Sequence, residues 1–524
     1  MPIKTGRNPA QFGLFATPLE AMIPADAEVR VIAAFVDQLD LGELGFKLIN
    51  TQGASAYSSE VMLKIYLYGY LNRERSSRRL ERCCRLNVEM MWLTASLQPC
   101  YHTIADFRKN HPASLKKVFR EYVLLLKKWE LIGGERLAVD GTKIHGQNAR
   151  KKNFNAAKLK RHLDRIDDRI EEVMDEFSRL DKYEDSEEKS GIQASTQDTL
   201  DVLKARKDKY AALQKQLAAS DDKQVSLTDP DARSLITHGH ESLVGYNVQS
   251  VVDDANKLIV HTEVTNENDI NALGQLVKDT HELLALEPSA EILADKGYHN
   301  AAELQKVRKL GHKTFVAERR HGANNKEGNY SPSSFCYDEA QDAYICPAGE
   351  LLKTTGKLHT RVGSTHRFKA YRGSRSVCGK CTLREQCLTA KAQASNQARV
   401  ITRLEHAAAI EANHDNLYNN PGVYQQRQAI VEHPFGTLKR QWTGYYTLLR
   451  GKEKVDGEYS LLACCYNIRR SMSIFGVLDL LERLKCRFSG FLNTFRLSGF
   501  VMSGDIGVLC DRPRRLVLIG RNLG

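Results

Sequence analysis

Three acidic residues stand at positions suited to binding metal ions. Asp140 follows the apolar run Leu137–Val139, Asp295 follows the apolar run 290–294, and Glu432 lies in a predicted helix. Acids placed where buried strands end face the mouth of an α/β sheet, where ligands bind. Three converging carboxylates therefore predict a site for Mg²⁺ or Mn²⁺, which prefer oxygen ligands. Two such ions about 4 Å apart can activate a nucleophile and stabilise a leaving oxygen in phosphodiester chemistry.

Basic residues accompany the third acid. Lys439 comes seven residues after Glu432, two helical turns on, so the two share a face of an ideal helix. Tyr424 and Arg427, three residues apart, share a face with each other. Arg and Lys beside a carboxylate site suit the backbone of a nucleic acid, because both bind phosphate oxygens.

The whole chain has the composition expected for such a partner. It has 524 residues, with 76 Lys and Arg against 64 Asp and Glu, which gives a net charge of +12. No stretch approaches the roughly 18 apolar residues of a membrane helix, and the N-terminus lacks the pattern of a secretory signal. These features predict a basic, multidomain protein of the cytoplasm with no membrane contact. No phosphate-binding glycine-rich loop of the P-loop type is present, which argues against nucleotide hydrolysis.

Hydrophobic periodicity divides the chain into an arm, two main domains and a tail. Residues 1–25 form an irregular arm, and residues 26–134 have helical spacing and predict an all-α domain. Residues 135–475 predict a mixed α/β core, whereas 476–524 form a tail without an assignable role. The helical domain carries a basic stretch that is predicted to contact phosphate or, in the plainer alternative, to be solvated surface; its members are Arg73, Arg75, Arg78, Arg79, Arg82 and Arg85.

Two insertions are predicted to interrupt the core. Residues 150–225 contain apolar residues at alternating spacings of four and three from Leu159 to Leu180, followed by a looser return from Leu203 to Leu217. This pattern predicts a helical hairpin, with a dimerisation coiled coil as the alternative. The second insertion, 320–400, is polar, contains glycines and is rich in cysteine.

The cysteines of the second insertion have the spacing of a zinc site. Cys346 is followed by Cys378, Cys381 and Cys387, with two residues between Cys378 and Cys381. Four thiolates complete the tetrahedral shell of a structural Zn²⁺, so a zinc-ribbon-like segment is predicted. Cys336 is left as a spare ligand or an ordinary thiol, and free thiols in a folded loop are the alternative to zinc.

Taken together, these motifs resemble those of bacterial insertion-sequence transposases of the DDE group. The matching segments are VDGTK around Asp140, ADKGY around Asp295, and the series Tyr424, Arg427, Glu432 and Lys439 in YQQRQAIVEHPFGTLKRQW. The segments SSEVMLKIYLYGYLN and HTIADFRKNH also resemble the DNA-binding region that precedes the catalytic core in many members. The resemblance extends over about residues 40–475 and depends on the order of the motifs, since each alone is weak.

One spacing departs from the family signature. Four residues separate Arg427 from Glu432, where the signature has three, and this places the two about 140° apart on an ideal helix. Pro434 favours a kink that could restore a shared face. The resemblance therefore carries Glu432 and Lys439 over more directly than Tyr424 and Arg427.

The resemblance implies a ribonuclease-H-like fold and a DNA transposition reaction. Asp140, Asp295 and Glu432 would bind two Mg²⁺ or Mn²⁺ ions; water would cleave the transposon end, and the freed 3′-OH would attack target DNA. Lys439 would hold a terminal phosphate, and Tyr298 would position a displaced base or pack in the core. The implied partners are double-stranded DNA, terminal inverted repeats and target DNA, bound by a homodimer.

Three alternatives remain on sequence grounds. The first is a metal-dependent nuclease of the same fold that cuts without joining, and the second is a DNA-binding derivative without catalysis. The third, a zinc-ribbon regulator, leaves the strand-end acids unexplained.

Overall fold

A computed structural model describes residues 18–46, 57–148, 150–180, 187–219, 224–237, 242–318, 330–360 and 367–485. Most of the predicted arm, 1–25, and of the predicted tail, 476–524, lies outside these ranges. Of the tail, only a helical stretch at 477–485 is described.

The N-terminal region is helical, as predicted. Its helices are α1 (Leu19–Met22), α2 (Glu28–Asp37), α3 (Ser59–Leu71), α4 (Ser77–Leu86), α5 (Val88–Leu93), α6 (Tyr101–Asn110) and α7 (Pro112–Lys128). Helix α3 begins after Ser58, whose side chain accepts a hydrogen bond from the amide of Val61 and so caps the first turn. Almost every side chain of α3 is buried, which makes it the central helix of this region.

The centre of the molecule is a mixed sheet. Its strands in the described ranges are β1 (Arg136–His145), β4 (Arg233–Ile236), β5 (Ser242–Asp253), β6 (Ile259–Thr265), β7 (Glu291–Ala294) and β8 (Lys313–Val316). Strand β1 is antiparallel to β5 and parallel to β7. On the far side of β5 lie β4 and β6, both antiparallel to it, and β8 lies parallel to β7. The mixed α/β fold class is confirmed.

Helices connect and cover this sheet. They are α10 (Leu273–Leu284), α11 (Ala301–Lys309), α15 (Ala407–Asn419), α16 (Pro421–Gly436) and α17 (Lys452–Phe475). Helices α10 and α11 link β6, β7 and β8, which gives the parallel strands their crossovers.

An asparagine from a helix occupies each edge of the sheet. Asn467 of α17 bonds both the N–H and the C=O of Ile259, at 3.0 and 2.7 Å. Asn413 of α15 does the same for Val316 of β8, at 2.8 and 2.9 Å. Because an unpaired strand edge invites intermolecular pairing, these two side chains close both edges of the sheet.

The N-terminal helices share one hydrophobic core with the sheet and with α17. This core includes Phe35 of α2, Tyr122 of α7, Val251 of β5 and Leu461 of α17. A buried ion pair links the same parts: Arg75 lies 2.7 Å from Glu458, and both side chains are at most 4% exposed. Arg75, grouped above with a basic surface stretch, is therefore a structural residue, because its charge is neutralised inside the protein.

Two long helices lie where the helical hairpin was predicted. They are α8 (Ala156–Leu180) and α9 (Glu187–Ala219), and at their base β2 (Asn153–Asn155) pairs with β3 (Gln224–Ser226). A small separate core holds this base together, formed by Phe154, Leu159, Leu213 and Leu217.

The cysteine-bearing insertion contains a five-stranded antiparallel sheet that the sequence did not predict. The strands follow one another in space as in sequence: β9 (Cys336–Asp338), β10 (Ala343–Ile345), β11 (Leu351–Thr360), β12 (Arg367–Arg372) and β13 (Val400–Leu404). Between β12 and β13 lie three short helices, α12 (Arg375–Lys380), α13 (Arg384–Cys387) and α14 (Ala390–Ala394). Its core is small and formed by Phe335, Tyr344, Leu352, Tyr371 and Ile401.

Candidate functional site

The register of two parallel strands brings Asp140 and Asp295 together. Val139 of β1 pairs with Ala294 of β7, and this is the last pair of that ladder. Asp140 directly follows Val139 in the chain, and Asp295 directly follows Ala294. Since adjacent strands lie about 4.8 Å apart, both carboxylates start from neighbouring backbone positions.

Asp140 does not end its strand, which corrects the prediction from sequence. Strand β1 continues to His145, because the long strand β5 pairs with it along that whole length, and Asp140 lies opposite Ser250. Asp295, by contrast, directly follows β7 and caps a short 3₁₀ helix, accepting a 2.7 Å hydrogen bond from the amide of Gly297.

A third carboxylate, Asp269, lies beside them and was missed from the sequence. It starts a 3₁₀ turn after β6, and its Oδ1 accepts hydrogen bonds from Asn247 (2.8 Å) and Gln249 (2.7 Å). Both amide side chains come from the buried strand β5. The hydroxyl of Tyr298 donates to Oε1 of Gln249, and this contact orients the Gln249 amide so that its NH₂ faces Asp269.

Two glycines make room for these acids. A Cβ atom on Gly141 would lie 2.5 Å from Oδ1 of Asp269. A Cβ atom on Gly297 would lie 2.8 Å from Oδ1 of Asp295 and 3.2 Å from Oδ2 of Asp269. The glycines of the VDG and DKG motifs therefore lack a side chain at the two positions where a Cβ atom would collide with the carboxylates. The sequence feature that could have indicated Asp269 is the pair Asn247 and Gln249, two polar residues at alternate positions of an otherwise apolar strand.

The surroundings of Asp140 favour its neutral form. Burial raises the pKa of this carboxyl to about 6, and the negative charges of Asp295 and Asp269 act in the same direction. The guanidinium of Arg427 and the amide of Gly141 partly oppose them and lower this pKa. The donor set fits a divalent cation, because a cation would relieve the repulsion among the acids.

Arg427 and Lys439 reach this site from the C-terminal helices. Nη1 of Arg427, on α16, lies 3.5 Å from Oδ2 of Asp140, and its side chain is 18% exposed. Lys439 lies in the π-helical segment Thr437–Gln441 that follows α16. Burial lowers the pKa of Lys439, while Asp140 raises it and Lys143 lowers it further. Both cations are thus within the electric field of Asp140.

Glu432 faces a different direction. It is exposed, and its Oε1 accepts a 2.5 Å hydrogen bond from Gln428 one turn earlier on α16. Helix α16 continues through Pro434 to Gly436, so the predicted kink does not interrupt it. Glu432, five residues after Arg427 on the same helix, therefore points in a different direction from Arg427. Of the two, Arg427 is the residue that contacts Asp140.

The two predicted tyrosines differ in exposure. Tyr298 is fully buried, and burial together with the charges of Asp269, Asp140 and Asp295 raises its pKa well above the usual value. Tyr424 is half-buried and packs against the main core. Tyr298 is therefore a core residue that holds Gln249, which is the second of the two roles considered for it.

The basic helix α4 presents four of the predicted arginines to solvent. Arg78, Arg79 and Arg82 are exposed, as is Arg85. Arg78 lies over the ring of Tyr101, with 5.1 Å between the guanidinium carbon and the ring centroid.

The four cysteines of the predicted zinc site line one cavity of the insertion. Cys346 follows β10, Cys378 and Cys381 lie at α12, and Cys387 ends α13. Burial raises the pKa of Cys387, and the other three thiols act in the same direction, which indicates that the sulfurs are neighbours. Cys336 is exposed on β9 and does not line this cavity.

A second polar cluster lies elsewhere on the sheet. His261 and Glu263 of β6 and Asp279 of α10 form the one group of three potential metal ligands, in the part of the chain that the structure describes, whose atoms all lie within 4.8 Å. Lys116 and Arg120 of α7 act on His261 and lower its pKa, after burial, to about 3. Because these cations compensate the acids, the cluster is electrostatically unlike the site around Asp140.

Two family models match the chain. The model described as Transposase domain (DUF772) matches residues 17–110, and that described as Transposase DDE domain matches residues 345–472. The predicted resemblance to DDE transposases is confirmed. The first match ends with α6 of this chain, and the second contains Arg427, Glu432 and Lys439.

The other comparisons add little to this assignment. The chain is similar to the piggyBac transposase in a cryo-EM structure of its synaptic complex with hairpin DNA, at 9% identity and a TM-score of 0.30, covering 91% of this chain and 80% of that one. Comparison with curated proteins gives no match. No helix in the described ranges is long and apolar enough to cross a membrane.

Proposed function

We propose that this DNA transposase cleaves the ends of its element and joins the freed 3′-OH to target DNA by two-metal phosphodiester chemistry. The observation that carries the proposal is the register of β1 and β7, which sets Asp140 beside Asp295 at the end of their parallel ladder. Burial holds the pKa of Asp140 near 6, and the negative charges of Asp295 and Asp269 add to this effect; such a site suits divalent cations.

The proposed core is ribonuclease-H-like. In support, the central strand β1 has antiparallel strands on one side and the two parallel strands β7 and β8 on the other. The acids lie where the parallel pairing stops, and this is the usual place for a ligand site in an open sheet.

Each residue of the site would have a separate role in the reaction. Asp140 and Asp295 would hold Mg²⁺ or Mn²⁺, which when bound polarises phosphoryl oxygens and supplies a nucleophile. Arg427 would turn from Asp140 to a phosphate oxygen of the DNA, since a guanidinium binds phosphate through two donors. Lys439 would hold a terminal phosphate, and its lowered pKa reflects the partly buried position in which it would do so.

The third acid of the site has two candidates. Glu432 occupies the position that the family signature gives it, but it is exposed and bonded to Gln428. Asp269 lies beside Asp295 and is held by two amides. We propose that Asp269 supports the site in the metal-free protein. Glu432 would enter the site only when metal and DNA are bound. This requires a change in the direction of the end of α16, and the π-helical turn that follows α16 is a place where the backbone can change.

Strand cleavage and joining of DNA that carries the element's own ends test the proposal. Asp295→Asn should lower cleavage by at least about a thousandfold, since a metal ligand is lost. Glu432→Gln and Asp269→Asn then rank the two candidates for the third acid. Asp415→Asn, an exposed acid on α15, is the matched control and should cleave like the wild type.

Each outcome has a definite meaning. Cutting without joining would establish the nuclease alternative. Tight binding of the ends with no cleavage by the wild type would leave a DNA-binding derivative and overturn the proposal. If Asp269→Asn is fully active while Glu432→Gln is inactive, the support role of Asp269 is refuted.

We propose that the N-terminal helices hold terminal inverted repeats and that two copies act on the paired ends. The exposed side chains of Arg78, Arg79 and Arg82 on α4 support a phosphate contact. The three-way replacement of these arginines by glutamine should weaken binding of end DNA about uniformly across sequences, as measured by fluorescence anisotropy.

We also propose a structural Zn²⁺ held by Cys346, Cys378, Cys381 and Cys387. Their shared cavity and the small core of the five-stranded sheet support it, because so small a core benefits from a metal cross-link. Metal analysis of protein purified without added zinc should find one Zn²⁺ per chain, absent from Cys381→Ser but retained in Cys336→Ser. Equal zinc in all three proteins would contradict this site.

A further inference from the structure

The inserted hairpin has a sharp division of charge along its length. Its base, residues 151–165 of the outgoing arm and 204–215 of the returning arm, carries eleven Lys and Arg and two acids. The next part of the outgoing arm, residues 166–179, carries six acids and two arginines. We call the first of these the basic half; its cations are Lys151, Lys152, Lys158, Lys160, Arg161, Arg165, Lys204, Arg206, Lys207, Lys209 and Lys215.

The cations of the basic half lie on the surface. All of them are exposed except Lys158, which is half-buried. Lys207 pairs with Asp167 at 2.6 Å, where the two halves of the hairpin meet. With Asp164 and Asp208 as its only acids, the basic half cannot neutralise eleven positive charges from within. A concentration of like charge of this kind costs stability unless it serves a polyanion.

The two arms of the hairpin bring their cations into one field. His162 of α8 stacks on Tyr210 of α9, with ring centroids 5.5 Å apart. Burial lowers the pKa of His162, and Lys158, Arg165, Arg206 and Arg161 lower it further. A single side chain between the helices therefore feels positive charge from both arms, and the basic half is one continuous surface.

The base of the hairpin is fixed to the sheet that carries the acids. The ladder of β2 and β3 closes it, and Asn148 donates a 2.6 Å hydrogen bond to Ser226 across the two connections. Strand β1 leads directly from Asp140 into this base, with Lys143 on the way.

We propose that the basic half of the hairpin binds the phosphate backbone of duplex DNA next to the cleavage site. The proposal rests on the DNA-handling function above and adds a surface to it. Lysine and arginine spread over two antiparallel helices, without a pocket for bases, suit contact with phosphates rather than recognition of sequence.

A second copy of the chain is the other polyanion to consider, since the outer half of the hairpin is acidic. The net charge favours DNA: the chain as a whole carries +12, so a second copy would bring net positive charge to this surface. DNA supplies one negative charge per roughly 1.7 Å of its axis and can match the whole surface.

Binding of a mixed-sequence DNA duplex at several salt concentrations, in EDTA so that no cleavage occurs, tests the proposal. The variant pair Arg161→Gln and Arg165→Gln removes two cations of the basic half. Arg169→Gln and Arg179→Gln remove two arginines of the same helix in the acidic half and form the matched control. A third variant, Lys204→Gln with Lys209→Gln, tests the other arm.

The decisive quantity is the slope of the logarithm of the binding constant against the logarithm of the salt concentration. Each lost phosphate contact lowers the slope of log K against log salt by about 0.9, so each basic-half pair should lower it by nearly 2 and weaken binding at ~0.1 M salt roughly tenfold or more. The control should keep the wild-type slope. All six replaced side chains are exposed, and circular dichroism checks that the helices remain.

Two results would overturn the inference. One is an unchanged salt slope in both basic-half variants. The other is unchanged DNA binding with loss of a wild-type dimer by sedimentation, which would assign the surface to self-association. Because binding is measured without metal, a wild type that binds through the hairpin but never cleaves would refute the proposed function and leave this inference standing.

Discussion

Two groups of acids lie on the same sheet, and their neighbours make them different. Around Asp140, the carboxylates of Asp295 and Asp269 reinforce one another, and Arg427 at 3.5 Å offsets them only in part. Around His261, the acids Glu263 and Asp279 are met by Lys116 and Arg120 from α7. The first group keeps an excess of negative charge, whereas the second is close to balance.

The difference shows that distance alone does not identify a catalytic cation site. The His261 group has its ligand atoms closer together, within 4.8 Å, yet His261 is 2% exposed and lies under the N-terminal helices. The Asp140 group is looser, but it lies at the end of a parallel ladder and has glycines beside it. Uncompensated charge and access, rather than compactness, distinguish the site that can take an ion and a phosphate.

Filling the space beside Gly141 should have the largest effect in this comparison. In Gly141→Ala the new Cβ would lie 2.5 Å from Asp269 and 2.9 Å from Nε2 of Gln249, so both must move. We expect cleavage to fall about a hundredfold, because a shift of about 1 Å at the reacting groups costs that much. Single-turnover cleavage with saturating DNA measures it.

Two controls accompany this variant. Gly422→Ala, at an exposed position of α16 with no atom within 4 Å, tests the same replacement without crowding and should be neutral. Glu263→Gln changes the second group and should leave cleavage within about twofold, since surface-like changes away from the reacting groups cost little. A loss in Glu263→Gln as large as in Gly141→Ala would make the two groups equivalent and refute the distinction.

The sequence was sufficient for the elements but not for all of the site. Apolar runs located β7 and the start of β1, because buried strands have a clear pattern. The pairing of Val139 with Ala294 is a tertiary fact, and it is what sets Asp140 beside Asp295. Asp269 was missed because it follows β6 in a polar turn, where acids are common, and only the amides of Asn247 and Gln249 mark it.

The C-terminal helices show the limit of spacing arguments. The ideal helix placed Arg427 about 140° from Glu432, and the structure keeps that rotation, so only one of the two can face Asp140. Which one does so depends on how α16 packs on the sheet, through Ile430 and Val431, and the motif does not contain that information. The sheet of the cysteine insertion was missed because its strands are short and partly exposed.

The pH dependence of stability should differ in sign between the two groups. The pKa of Asp140 rises from 3.8 to about 6 on folding, so the folded state binds more protons between these values and loses stability as pH increases from about 4 to 6. The pKa of His261 falls from 6.5 to about 3, so the folded protein loses stability as pH decreases through that range.

Thermal unfolding midpoints against pH, measured in EDTA, separate the two contributions. Relative to wild type, Asp140→Asn should gain stability as pH rises from 4 to 6, by at most about 3 kcal/mol, and added Mg²⁺ should remove that difference by stabilising only the wild type. His261→Asn should gain relative stability as pH falls below 6.5.

The groups facing Asp140 are Asp295, Asp269, Arg427 and Lys439; those facing His261 are Glu263, Asp279, Lys116 and Arg120. Each variant is compared with the wild type between pH 4 and 6, the interval in which the folded and unfolded states differ in protonation at both Asp140 and His261. Parallel curves for wild type and both variants in that interval would mean that neither group differs from its unfolded state, and the contrast between an uncompensated and a balanced site would be lost.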